Sequence, residues 1–261
     1  MNGLLATILL GIVEGVTEFL PISSTGHLLI AEHWLGHRSD VFNVVIQAGA
    51  IVAVVLIYRE RLLRLATGLA DAANRDYALK LAVAFLLTAA LGFVATKLGF
   101  KLPETLTPVA WALIVGGVWM IAAERIAERR PRHTEITWRV AILVGLAQVV
   151  AAVFPGTSRS AATIFVALLA GTNDRAAATE FAFLVGIPTM FAASGYELLK
   201  SLRADGGHED WAALALAFAV SLITAFVAVR WLLGYIRTHR FTAFAVYRVA
   251  LGVVLLALAV T

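Results

Sequence analysis

Between Gly11 and His27 the chain reads GIVEGVTEFLPISSTGH, an apolar run carrying Glu14, Glu18, Pro21, Ser23, Ser24, Thr25 and His27. A lipid-facing helix would choose none of these polar groups. Glu14 and Glu18 are four positions apart, so on a helix they share one face about one turn apart. Two anions that close in a low-dielectric setting need a cation or a shared proton. The chain has no cysteine, and only one histidine lies nearby, so Mg²⁺ or Ca²⁺ with oxygen ligands suits the pair better than zinc. A pair of carboxylates capped by hydroxyls is the structural alternative. Pro21 is expected to stop this helix, and Ser23, Ser24 and Thr25 suit the start of another whose free amides favour phosphate. His27 falls three positions after Ser24, on the same face of that second helix, where general acid–base work and plain packing both fit. Ser24 as a nucleophile forming a phosphoserine, and Ser23 with Ser24 as hydrogen-bond donors to a substrate that water attacks, are both open.

A second polar interruption, Pro155-Gly156-Thr157-Ser158-Arg159-Ser160, sits in another apolar run. A guanidinium there is costly unless it meets an anion, and its planar donor fork fits phosphate oxygens in a bidentate way. The competing reading is a structural bridge from Arg159 to Glu14 or Glu18. A phosphate cradle is therefore expected from Ser23 and Thr25 on the first interruption, and from Gly156, Thr157, Ser158, Arg159 and Ser160 on the second. Asn43, Gln47, Glu180, Glu197 and Arg248 are further polar residues in or near spans. Glu197 is expected at a span end and Arg248 to pair with Glu180 or snorkel, without chemistry for any of the five.

The elements that must carry these residues are membrane spans. Of 261 residues 61% are hydrophobic and 15% charged, which places the chain among multi-spanning membrane proteins. A removable signal peptide is not expected, since the first apolar stretch carries glutamates in place of a cleavage site. The net charge of +4 lies in short loops with no long basic run, so positive-inside topology accounts for it and nucleic acid is not an expected partner. Ordinary spans are expected at roughly 41–58, 78–97, 106–124, 180–198, 211–230 and 241–260, each near the ~20 residues a bilayer needs. The stretches 3–34 and 140–170 are interrupted. Laying the halves over one another puts Gly11, Glu14, Pro21, Ser23 and Ser24 on Gly145, Gln148, Pro155, Thr157 and Ser158, with Arg159 opposite Thr25. With one residue less offset, Leu81 to Phe93 falls on Leu214 to Phe226. The chain thus reads as a duplication, about 1–130 and 131–261, in a single membrane domain.

If the interrupted stretches cross the bilayer, the repeat is parallel; if they are re-entrant hairpins, it is inverted. The re-entrant arrangement gathers more of the Lys and Arg residues, Arg59, Arg61, Arg64, Arg129, Arg130 and Arg132 among them, on one side. The expectation is therefore an all-α polytopic membrane protein with an inverted-topology repeat. It has six transmembrane helices plus two re-entrant hairpins, both termini outside and the hairpins meeting near the midplane. Trp34, Tyr58, Tyr196, Trp211, Trp231 and Tyr235 fit an interfacial aromatic belt. No Walker-type loop occurs, which argues against an ATP-driven pump. Architecture alone leaves a transporter or flippase of lipid phosphates or anions level with a hydrolase.

The motifs Glu14 to His27 (EGVTEFLPISSTGH) and Pro155 to Ser160 (PGTSRS) resemble those of the bacitracin-resistance family of undecaprenyl-diphosphate phosphatases, and the likeness extends over the whole chain. The resemblance implies an integral protein of the bacterial cytoplasmic membrane that hydrolyses undecaprenyl diphosphate to the monophosphate. That activity recycles the lipid carrier of cell-wall synthesis and confers bacitracin resistance. It implies that Glu14 and Glu18 are the acidic pair associated with a divalent cation, that Ser24 and His27 are catalytic, and that Arg159 binds the diphosphate between Ser158 and Ser160. Ala161 departs from the family, which often has glycine there. With the basic loops inside, the first hairpin enters from outside, so the site is expected to open to the periplasmic face. The bilayer is the expected surrounding, and a homodimer is one assembly the sequence allows.

Overall fold

The computed structural model describes residues 3–99, 105–203 and 210–260, all helices and connections. The helices are α1 (Gly3–Thr17), α2 (Ser24–Leu35), α3 (Asp40–Ile57), α4 (Arg59–Thr67), α5 (Ala72–Lys97), α6 (Leu106–Glu128), α7 (Trp138–Val153), α8 (Arg159–Ala170), α9 (Arg175–Arg203), α10 (Trp211–Tyr235) and α11 (Thr242–Val260). Five of them, α3, α5, α6, α9 and α10, are long and apolar enough to cross a membrane. The sixth expected span is α11, 19 residues long. One expected basic loop is a helix: Arg59, Arg61 and Arg64 lie on α4, a short polar helix continuing directly from α3.

The two interrupted stretches are pairs of short helices, α1 with α2 and α7 with α8. At 15, 12, 16 and 12 residues and about 1.5 Å per residue, none spans the ~30 Å hydrocarbon layer. Each pair folds back on itself. Arg38, after α2, donates to the carbonyl of Gly3 at the start of α1. Beyond α8, the amide of Asn173 and the hydroxyl of Thr172 both donate to the carbonyl of His133, ahead of α7. Between the two hairpin bases runs α3. It begins at Asp40 beside the first and leads into α4, where Arg61 pairs with Glu180 near the start of α9, beside the second.

Packing follows the duplication. α1 lies on α10 as α7 lies on α5, α3 lies on α10 as α9 lies on α5, and α3 with α9 and α6 with α11 form pairs that map onto themselves. The sequence match between the halves appears in the contacts. A Cβ placed on Gly11 would come 3.0 Å from the carbonyl oxygen of Ala217, and one on Gly145 2.8 Å from that of Ala84. These glycines therefore let each hairpin lie backbone to backbone on its neighbour. At the basic end, charges off the apolar surface pair across elements: Arg175 with Glu124 and Glu128, Arg240 with Glu128, and Arg132 with Asp174. Of the aromatic residues expected in a belt, Trp34, Tyr196, Trp211 and Trp231 are exposed, but Tyr58 is buried in the core where α3 meets α4.

Candidate active site

The first hairpin turn begins where proline chemistry dictates. Pro21 sterically disfavours a helical carbonyl four residues earlier, and α1 ends at Thr17. Glu18 therefore lies just beyond the helix, though its amide still donates to the carbonyl of Glu14 at 2.9 Å, which keeps the two residues one turn apart. Both carboxylates are buried, at 2% and 8% exposure. Oε2 of Glu14 has no hydrogen-bond partner.

Ser23 caps α2, its hydroxyl accepting from the amide of Gly26, and its backbone stands at φ 76°. Ser158 caps α8 in the same way, accepting from Ala161 at φ 65°. These are the two non-glycine residues at positive φ among those described. The caps correct the repeat register. Ser158 corresponds to Ser23 and not to Ser24, so Arg159 stands opposite Ser24 and not opposite Thr25. The second turn holds one residue more than the aligned glycines of α1 and α7 imply, an insertion that an ungapped match cannot show.

The turns touch tip to tip. Ser160 donates to the carbonyl of Leu20 at 3.0 Å and lies 3.1 Å from the Ser158 hydroxyl. One cavity between them is lined by Glu18, Ser23, Ser24, Thr25, Gly156, Ser158 and Arg159, with Ala151 and Gln47 completing the wall. In it the Ser24 hydroxyl donates to Oε2 of Glu18. Arg159 makes no ion pair with Glu14 or Glu18, and its Nη1 is buried without a partner. The structural bridge is therefore not formed, and a half-buried arginine faces the cavity with donors to spare.

Four expected members make contacts that the sequence does not suggest. The hydroxyl of Ser160 and the carbonyls of Gly156 and Thr157 help hold the turns together, while Gly156 also lines the cavity. His27 does not meet Ser24. Its Nδ1–H donates to the carbonyl of Ser23 at 2.7 Å, which leaves Nε2 of the neutral ring to accept from the Tyr247 hydroxyl at 2.8 Å. The imidazole stacks on that phenol, the centroids 5.6 Å apart. Position i+3 puts His27 on the right face, but the tilt of a helix's first turn and a phenol from α11 draw the ring aside.

Arg248 is the residue that reading the sequence placed wrongly. It neither pairs with Glu180, which Arg61 and Tyr77 hold, nor snorkels. It is 0% exposed and donates to carbonyls of both turns: Gly156 at 2.9 Å, Thr157 at 3.1 Å and Pro21 at 3.5 Å, with Ala112 of α6 at 3.2 Å. Its charge in an apolar segment was the available signal; its partners are backbone oxygens, which no side-chain pattern reveals.

Among the described residues no three His, Asp or Glu side chains form a ready-made metal site. The Glu14–Glu18 pair nevertheless fits a hard cation of the Mg²⁺ type. Such ions take one or two carboxylates and complete their shell with water and phosphate oxygens, and the unpartnered Oε2 of Glu14 is the kind of oxygen they need.

The chain matches the family described as "Bacitracin resistance protein BacA" over residues 7–254. It is 71% identical over 255 residues to a protein of Rhizobium etli named undecaprenyl-diphosphatase, covering 97% of this chain and 96% of that one. It is 64% identical over 257 residues to a protein of Xanthomonas axonopodis pv. citri with the same name, covering 98% and 97%. A family match that takes in both hairpins, with identities of 64–71% across nearly the whole chain, settles the kinship: the chain belongs to the bacitracin-resistance BacA family.

Proposed function

We propose that the protein hydrolyses undecaprenyl diphosphate to undecaprenyl phosphate and inorganic phosphate in the cavity between the two hairpin turns, recycling the carrier lipid and so conferring bacitracin resistance. The observation that carries this reading is the Ser24 hydroxyl on Glu18, a nucleophile already hydrogen-bonded to its base, beside the unpaired guanidinium of Arg159. Arg159 binds the phosphoryl oxygens. The amides opening α2 and α8, with Thr25, add donors.

Ser24 Oγ attacks the terminal phosphorus while its proton passes to Glu18; the bond to the bridging oxygen breaks, and undecaprenyl phosphate leaves with that oxygen. Glu18 passes that proton to the departing phosphate oxygen, then takes another from the water that cleaves the phosphoserine and returns it to Ser24 Oγ, freeing inorganic phosphate. A divalent cation held by Glu14 and Glu18, Mg²⁺ or Ca²⁺, supplies neutralisation of the diphosphate charge when bound. His27 acts through Ser23, whose carbonyl it holds, and keeps the cap and its neighbour Ser24 in position. The transport reading gains nothing from relatives that are named for a phosphatase.

We place the protein in the bacterial cytoplasmic membrane as two inverted halves, the paired basic end inside and the cavity opening outward. A diphosphate head then reaches buried charge while the polyprenyl tail stays in lipid. The test is phosphate release from undecaprenyl diphosphate by purified protein in detergent. Release is expected to fall with EDTA and return with Mg²⁺, and to fall at least about 100-fold in Ser24→Ala, Glu18→Ala and Arg159→Ala. No release from folded wild-type protein would sink the enzyme; full activity in Ser24→Ala would move the attack to water.

A further inference from the structure

Gln47 is a polar side chain in the middle of α3, a helix of mean hydropathy 2.2, and the reaction just described leaves it without a task. An amide there is costly unless both its ends are satisfied. One end is. Oε1 accepts a hydrogen bond from Ser194 of α9 at 3.1 Å, and Ser194 is itself buried. This is the crossing of α3 and α9, the pair the repeat maps onto itself.

With Oε1 taken by the Ser194 hydroxyl, the free end of the amide is Nε2. Nε2 makes no hydrogen bond to any described residue, and Gln47 forms part of the wall of the cavity that holds Ser24, Glu18 and Arg159. Two N–H donors therefore stand beside a nucleophile and an arginine with no acceptor assigned to them. A phosphoryl oxygen is an acceptor of the right kind, and the cavity's other donors already select for it. A neutral amide also differs in kind from Arg159, since it offers directed donors without adding charge beside Glu18.

We infer that Gln47 is a substrate-binding residue that donates from Nε2 to a phosphoryl oxygen of the diphosphate, and that Ser194 is the positioning residue holding its amide in that orientation. The inference rests on the phosphatase reading of the same cavity and adds to it a donor from α3, outside both hairpins.

The test compares kcat and KM for undecaprenyl diphosphate in wild type, Gln47→Glu, Gln47→Ala and Ser194→Ala, each purified whole in detergent, with thermal unfolding followed alongside. Gln47→Glu keeps the shape, removes both donors and sets a carboxylate against the phosphate, so KM is expected to rise about tenfold or more. Gln47→Ala loses one neutral hydrogen bond, roughly a two- to tenfold rise in KM. Ser194→Ala frees the amide to rotate and is expected to raise KM about two- to threefold, with kcat near wild type in all three. A tie between α3 and α9 with no contact to substrate would instead lower the unfolding temperature and leave KM unmoved, and that result overturns the inference. An unchanged KM in a stable Gln47→Glu overturns it as well. Were Gln47→Ala to misfold, Gln47→Glu and Ser194→Ala would still decide. Absence of activity in wild type would strike the phosphatase reading, and its retention in Arg159→Ala would strike this cavity as the site; both are seen in arms that do not touch Gln47.

Discussion

Ser23 and Ser158 are the residues on which the site's geometry turns. Each holds a positive φ that costs a side-chain-bearing residue about 1–3 kcal/mol, and each recovers part of it by capping the helix that follows. The conformation turns the chain sharply, so that the next residue, Ser24 in one half and Arg159 in the other, opens a helix facing the cavity. The two costs at Ser158 can be separated. Ser158→Ala keeps the strain and loses the cap, an expected loss of about 1–2 kcal/mol. Ser158→Gly relieves the strain as it loses the cap, and should unfold at a higher temperature than Ser158→Ala. The reverse order in thermal denaturation would show that the backbone there is not strained. Glu18 with Ser24, and Arg159 without a partner, belong to this scale too: the residue types were legible in the sequence, while the absence of an Arg159–Glu bridge was not, since spacing says nothing of distance between two turns.

At the level of elements, the hairpins are held by a helix from elsewhere in the chain. α11 contributes Tyr247 to His27 and, at the next position, Arg248 to the carbonyls of both turns. Turn carbonyls in an apolar interior have no water to bond, and each left unsatisfied costs roughly 1–3 kcal/mol. Arg248→Met should therefore lower stability by about 3 kcal/mol or more and abolish phosphate release, and Arg248→Lys should recover part of the stability but little of the rate. Denaturation and phosphate release on the same preparations check this. A stable, active Arg248→Met would mean the turns hold their shape unaided. The breaks in 3–34 and 140–170 were legible because proline and clustered hydroxyls cannot continue an apolar helix. The brace was not, because an arginine bonded to main chain leaves no partner residue to find.

For the whole molecule, the duplication places two hairpins at opposite ends of α3 with their tips in contact, and the proposed site forms only where the halves differ. The first half supplies Glu14, Glu18 and Ser24, the second Arg159, and neither alone has both charges. Because the chain contains no cysteine, orientation can be measured directly. His37→Cys, beside the first hairpin's base, should react with an impermeant maleimide from the periplasmic side. Thr238→Cys, exposed between α10 and α11, should react only after the inner face is opened, and labelling of both from one side would refute the inverted arrangement. Sequence by itself determined that the chain lives in a membrane, where its spans run, that it is a repeat, and which residues carry charge into the apolar interior, because hydropathy, spacing and side-chain chemistry are local properties. Only the tertiary structure decided that Arg159 stands opposite Ser24, that His27 turns to Tyr247, that Arg248 clasps both turns and that Gln47 reaches the cavity. Those are contacts between backbones and side chains far apart in the chain, and they depend on how the two halves pack.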